Sequence, residues 1–217
     1  MSRFAPLSPQ RLADRLAALL VGRHGGSRAL RVGVDAPGCA DLSQLIEALC
    51  EALRAAGRPV ALIDSRGFYR DASLRLEYGR TDVESFYSGW LDTGALQREV
   101  LASLAGDGSY LPSLRDPVTN RSTRAEVRHL PDNGIALVTG ELLLGAGLDF
   151  DVVVHAAVSR QARHRLTDAE HQWTLPALDR YDLDVDPAAL ADAVIRYDDP
   201  ARPALLIRPA RSAEPAG

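Results

Sequence analysis

Residues 36–43 read Ala-Pro-Gly-Cys-Ala-Asp-Leu-Ser and follow an apolar run, Leu30 to Val34. A segment of helical spacing comes next. Strand, loop and helix in that order form the setting of a phosphate cradle, whose pattern is G-x-x-x-x-G-K-S/T. Glycines let backbone N–H groups wrap the phosphates, the lysine reaches the outer phosphates, and the hydroxyl holds magnesium. Here Ser43 keeps the hydroxyl. Ala36 and Asp41 stand at the glycine positions and Leu42 at the lysine, with Pro37, Gly38, Cys39 and Ala40 between. Losing the lysine removes a charge-assisted contact to phosphate. Asp41 adds a negative charge where the phosphates would sit. The helix N-terminus still favours an anion, although Asp41 is placed to cap it. On spacing alone, an ordinary strand-to-helix turn also accounts for these eight residues.

The elements around this loop follow from the apolar pattern. Ser8-Pro9 reads as a cap and first position of a helix carrying Leu12, Leu16, Leu19 and Leu20, stopping near Gly25-Gly26. Leu30 to Val34 is a buried strand. Leu42, Leu45, Ile46, Leu49 and Leu53 form the inner face of the next helix, which Asp41 caps and Gly57 ends. Pro59 to Ile63 is a second strand, completing a βαβ unit and implying a parallel sheet. Further strands are expected at Ile135–Val138, Phe150–Val158 and Val194–Tyr197, with a short edge strand at Leu205–Ile207. Helices are expected from Asp92 to Leu104, around 159–166 and 168–183, and from Pro187. Residues 108–130 break the rhythm and read as two short strands around a polar turn. The expected fold is α/β: a five-stranded parallel sheet wrapped by helices, with a β-hairpin insertion. One domain spans 1–207, residues 1–28 form its N-terminal helical part, and 208–217 form a flexible tail.

The 217 residues are 46% hydrophobic, enough for one sizeable core. The net charge of −4 argues against coating a nucleic-acid polymer. Arginine carries the positive charge and suits forked contacts to phosphate or carboxylate. Cys39 and Cys50 make neither a zinc set nor a disulfide framework, which points to a reducing cytoplasm. No secretory signal or membrane span is evident. No metal set is assigned: His164 and His171 lie two helical turns apart, too far to share one ion. His155 ends an apolar strand and reads as a satisfied core histidine. Aromatic residues at 86–90 read as packing residues, or as the face of a homodimer.

Several segments, in order, resemble the uridine kinase-like branch of the P-loop nucleoside kinases over roughly residues 30–207. They are RVGVDAPGCADL at 31–42, DSRGFYRDASLRLEYGRTD at 64–82, YLPSLRDPVTNRSTRA at 110–125, ALVTGELLLGAGLDFDVVVH at 136–155 and DPAALADAVIRYDDPARP at 186–203. The resemblance implies the fold above, ATP and magnesium as cofactors, and a nucleoside or nucleotide as ligand. In that family an Asp just before Phe-Tyr is the base for the sugar hydroxyl. Here Arg66 and Gly67 precede Phe68 and Tyr69, leaving Asp64 as the stand-in. The acid that ends the third core strand is replaced by Thr139, and Glu141 reads as a solvated helix-start residue. By resemblance, Phe68, Tyr69, Arg80, Asp82, Tyr110, Asp116 and Arg121 are substrate-side candidates. Arg160, Arg163 and Arg165 correspond to the phosphate-covering lid. The missing lysine and motif Asp imply impaired or lost ATP-dependent activity. The alternative is a non-catalytic module that binds a nucleoside, a nucleotide or a protein on the same fold.

Overall fold

The computed structural model describes residues 4–23 and 28–209. The expected helix stop at Gly25-Gly26 and nearly all of the expected tail lie outside the described residues. The chain runs β1 (Ala5–Pro6), α1 (Pro9–Arg23), β2 (Leu30–Asp35), α2 (Ser43–Ala55), β3 (Val60–Asp64), α3 (Ala72–Arg75), α4 (Thr93–Leu96) and α5 (Ser103–Gly106). It continues through β4 (Ser109–Tyr110), β5 (Arg128–His129), β6 (Ile135–Gly140), β7 (Val152–Ala157), α6 (Arg160–Leu166), α7 (Leu175–Asp184), α8 (Pro187–Leu190), β8 (Ala193–Arg196) and β9 (Ala204–Ile207). A π-helical segment, Gln97–Ala102, joins α4 to α5.

The main sheet has the order β1-β9-β8-β7-β2-β6-β3. Its five inner-core strands, β3, β6, β2, β7 and β8, are mutually parallel. That is the expected parallel sheet, lengthened by two antiparallel strands. The tail strand β9 is not at the edge as expected, because Ala5 and Pro6 pair outside it. The expected hairpin is present, but its ladder is short: Ser109 and Tyr110 pair with His129 and Arg128.

Both faces of the sheet are covered, which explains the near-continuous apolar runs of its strands. On one face, Leu12, Leu16 and Leu20 of α1 and Leu45, Leu49 and Leu53 of α2 pack on Val32, Leu137 and Val154. On the other, Leu96, Val100, Leu101 and Leu104 pack with Ile63, Phe68, Tyr110 and Val138. Burying one such leucine contributes about 1.5–3 kcal/mol before entropy is counted. Gly57, at φ 73, ends α2 in a conformation glycine adopts without a Cβ penalty.

The chain leaves β2 for β3 and β6 on one side, then crosses to β7 on the other. This reversal of strand order opens a crevice at the carboxyl ends of the strands, the usual ligand position in an open α/β sheet. Register brings Asp35 opposite Gly140 and His155, and Asp64 opposite Thr139. The loop after β2 therefore sits at the switch point, between the ends of β6 and β7.

Candidate functional site

Part of the loop backbone is engaged by its own chain. Ala36 N donates to Gly140 O at 2.9 Å, and Ala40 N to Pro37 O at 2.8 Å. Pro37 has no N–H to offer. Gly38 N donates to Oε2 of Glu141 at 3.0 Å. A carboxylate from the end of β6 thus takes the kind of loop donor that a phosphate oxygen would take. Asp41 does not cap α2. The helix starts at Ser43 with Leu42 at the cap position, where it has no side-chain oxygen to offer. Asp41 instead accepts from the backbone N of Ser43 at 2.9 Å and from its hydroxyl at 2.6 Å. Those two bonds hold the Asp41 carboxyl below the usual carboxylate range.

Glu141 is half-buried in a bend rather than solvated at a helix start. Its position is imposed from behind. Leu142 is held at φ 59, a left-handed conformation costly for a residue with a Cβ. On its far side, Leu143 N donates to Oδ1 of Asp35 at 2.9 Å, and Leu144 N to the Tyr181 hydroxyl at 2.8 Å. Asp35 is almost fully buried, and its Oδ2 lies 2.7 Å from Nδ1 of the buried His155. Burial, with the Asp35 charge added, pushes the Glu141 carboxyl up to about 7, against the pull of Gly38 N–H and Arg66. His155 is a satisfied core histidine in this structure, but it belongs to the scaffold that aims Glu141 at the loop.

Asp64 stands at the end of β3 and lines the same cavity, of about 750 Å³, as Gly38, Asp41, Ser43 and Glu141. Both of its oxygens are held by Arg66: Nε at 2.9 Å and Nη2 at 2.7 Å to Oδ2, with the Arg66 backbone N at 2.9 Å to Oδ1. Gly67 leaves no room for an acid in its own place, since a Cβ there would meet the Cβ of Ser113 at 2.8 Å.

A second cavity, of about 740 Å³, opens from Gly38, Cys39 and Asp41 toward Tyr69, Trp90 and Trp173. Of the substrate-side candidates, Tyr69 and Arg80 line it. Phe68 and Tyr110 are core residues, since their apolar rings complete the helical face of the sheet. Asp82 accepts from Ser85 N at 2.7 Å, and Asp116 from Val118 N and Thr119 N, so both serve local backbone turns. Arg121 is exposed. Accordingly, Asp82→Ala is expected to lower stability modestly, as losing a cap does, with ligand affinity unchanged. Chemical denaturation and ligand titration of the variant check both halves.

The three arginines expected in the lid are each engaged by nearby acceptors, although Arg163 also lines a cavity with Ala36 and Pro37. Arg160 pairs with Asp179 at 3.0 Å, and the buried Arg163 with Asp179 at 2.9 Å and Asp182 at 2.6 Å. Arg165 reaches Asp198 O at 3.4 Å. The aromatics at 86–90 turn inward: Phe86 is buried, and its ring meets Trp90 at 5.2 Å and Trp173 at 5.4 Å. Three participants escaped the sequence reading: the Glu141 contact, Asp35, and Arg75 in the cleft wall. Only Asp35 had a local signal, as an acid directly preceding the loop.

Solved structures place this architecture. A possible uridine kinase from Bacillus stearothermophilus superposes with a TM-score of 0.67 at 19% identity, covering 85% of this chain and 98% of its own. The chain has a P-loop kinase fold. A protein described as a fructose transport system kinase, from Silicibacter sp. TM1040, agrees, with a TM-score of 0.58 at 20% identity over 81% of this chain and 90% of that one. No protein-family model matches the sequence, and no curated protein matches it. The loop at 36–43 connects β2 to the start of α2 in this fold. Among the described residues, no three His, Cys, Asp or Glu side chains converge as a metal-ligand set, and no helix is long and apolar enough to cross a membrane.

Proposed function

We propose that this protein descends from ATP-dependent phosphotransferases, retains a cleft for a nucleoside or nucleotide, and has lost efficient use of MgATP. The contact of Glu141 with Gly38 N carries this reading. It supplies an internal anion to a donor that phosphate would need. The remaining residues point the same way. Leu42 offers no charge to the outer phosphates, and the Ser43 hydroxyl is spent on Asp41 rather than left for magnesium. Thr139 stands where an acid would manage magnesium or its waters, and its hydroxyl is directed to Ile63 O at 3.5 Å. Magnesium with a polyphosphate does not fit this set, because phosphoryl transfer depends on positioning and charge stabilisation at these positions. The fold shared with a possible uridine kinase supports a nucleoside-type ligand for the aromatic cleft.

A thermal-shift panel tests the reading. Nucleosides or nucleotides without magnesium are expected to raise the melting temperature, and MgATP is expected to leave it unchanged. Stabilisation by MgATP, growing when a nucleoside is added, would contradict the reading and indicate a working kinase.

A further inference from the structure

The wall of the aromatic cleft holds a buried cation that, among the described residues, is in no salt bridge. Arg75 is about 7% exposed and lines the 740 Å³ cavity. Its Nε donates to Arg70 O at 2.9 Å. Its guanidinium lies 4.9 Å from the Trp90 ring centroid and 5.4 Å from that of Tyr69. Among the described residues, no carboxylate pairs with it. The nearest acid in its own segment, Asp71, is committed to Ser73 and to Nη1 of Arg115 at 3.1 Å. A buried charge is normally paired, because leaving water without a partner is costly. Burial is also the main cause lowering this guanidinium's pKa, yet arginine keeps its proton. A second donor in the same aromatic cluster is unsatisfied: Nε1 of Trp90 is buried without an acceptor. Arg80 adds another positive charge along the cavity.

Four acids also line the cleft, none of them in a salt bridge with Arg75 among the described residues. Asp41 and Glu141 are at the loop end, and Asp168 and Glu170 are in the segment facing it. Asp64 answers Arg66. The aromatic end offers the donors of Arg75 and Trp90, with π-faces from Tyr69, Trp90 and Trp173 for a flat ring.

We propose that the cleft takes an aromatic ring carrying an oxyanion, with the ring against the tryptophans and the oxyanion on the Arg75 guanidinium. This rests on the reading of the cleft as a nucleoside-type site and deepens it: the ligand is a nucleoside monophosphate or a heteroaromatic carboxylate, not a neutral nucleoside. The guanidinium fork matches two oxygens of either group.

Calorimetry on the full chain tests it, with nucleoside 5′-monophosphates, the matching nucleosides, nicotinate and inorganic phosphate as titrants, at two salt concentrations. The expected result is that one anionic aromatic binds about tenfold or more tighter than its neutral counterpart. Monophosphate against nicotinate identifies which oxyanion is preferred. The advantage should shrink with salt and vanish in Arg75→Gln. Because Arg75 is buried, Arg75→Lys serves as a second variant: it keeps the charge, loses the fork, and should retain part of the preference. Equal, salt-independent binding of a nucleoside and its monophosphate would overturn this inference and leave the nucleoside-type cleft standing. Inorganic phosphate binding as tightly as the monophosphate would overturn the aromatic half. No binding by any aromatic titrant would overturn the inference and the cleft assignment together.

Discussion

At pH 8, the Glu141→Gln protein is expected to be more stable than its parent by an amount on the order of 3 kcal/mol. The Glu141 carboxyl is pushed from an ordinary 4.5 to about 7 in the folded protein. The folded state therefore holds a proton that the unfolded chain has already released across that window. Stability falls wherever the folded state binds more protons and pH rises. The parent thus loses stability progressively from about pH 4.5 to pH 7, and above pH 7 the full cost of the buried charge remains. One pKa unit is worth about 1.4 kcal/mol, which sets the size. Glutamine keeps an oxygen for Gly38 N and carries no charge, so it does not titrate. Denaturation at pH 5 and pH 8 checks this. The parent should lose stability across the window, and the variant should lose less by about the stated amount. Identical pH profiles would place Glu141 in water.

The second large effect concerns the loop. Asp41→Gly with Leu42→Lys, made in the Glu141→Gln background, is expected to raise MgATP affinity by roughly 100-fold. The substitutions remove two like charges from the phosphate position and add a charge-assisted contact worth about 1.5–3 kcal/mol. They also release the Ser43 hydroxyl, now bonded to Asp41 at 2.6 Å. The rescue is one of binding. Transfer to an acceptor should remain slow, because Asp64 is held by Arg66 and Gly67 has no space for an acid. Isothermal titration of the triple variant, with a coupled assay for ADP release, separates the two. No gain in affinity would show that the loop backbone, with Pro37 and its Pro37–Ala40 turn, cannot open into a cradle.

Much of the scaffold was legible in the chain. Ile135 to Val138 is apolar at every position, and Leu30 to Val34 at all but Arg31, which pairs with Asp151, because helices cover both faces of the sheet. The spacing of Leu45, Ile46, Leu49 and Leu53 marked the buried face of α2. Strand β1 was not legible, because two residues, Ala5 and Pro6, carry no period. The site was less readable than the fold. Asp82 and Asp116 looked like ligand contacts by position. Asp82 three residues before Ser85, and Asp116-Pro117 before Thr119, are turn signals that the local sequence did contain. Glu141 could not be placed from sequence. Its direction depends on Leu142 at φ 59 and on Asp35, which is 108 residues away from the Leu143 it holds. Arg75 was hidden for a related reason. Its segment has the charge pattern of a solvated helix, and its burial comes from Tyr69 and Trp90 meeting across a turn.

The central claim is that the phosphate-loop position is occupied from within. Calorimetric titration of the unmodified protein with MgATP at pH 8, where Glu141 is ionised, tests it most directly. The account predicts no saturable heat at millimolar nucleotide. A dissociation constant in the low micromolar range, lost on addition of EDTA, would contradict it.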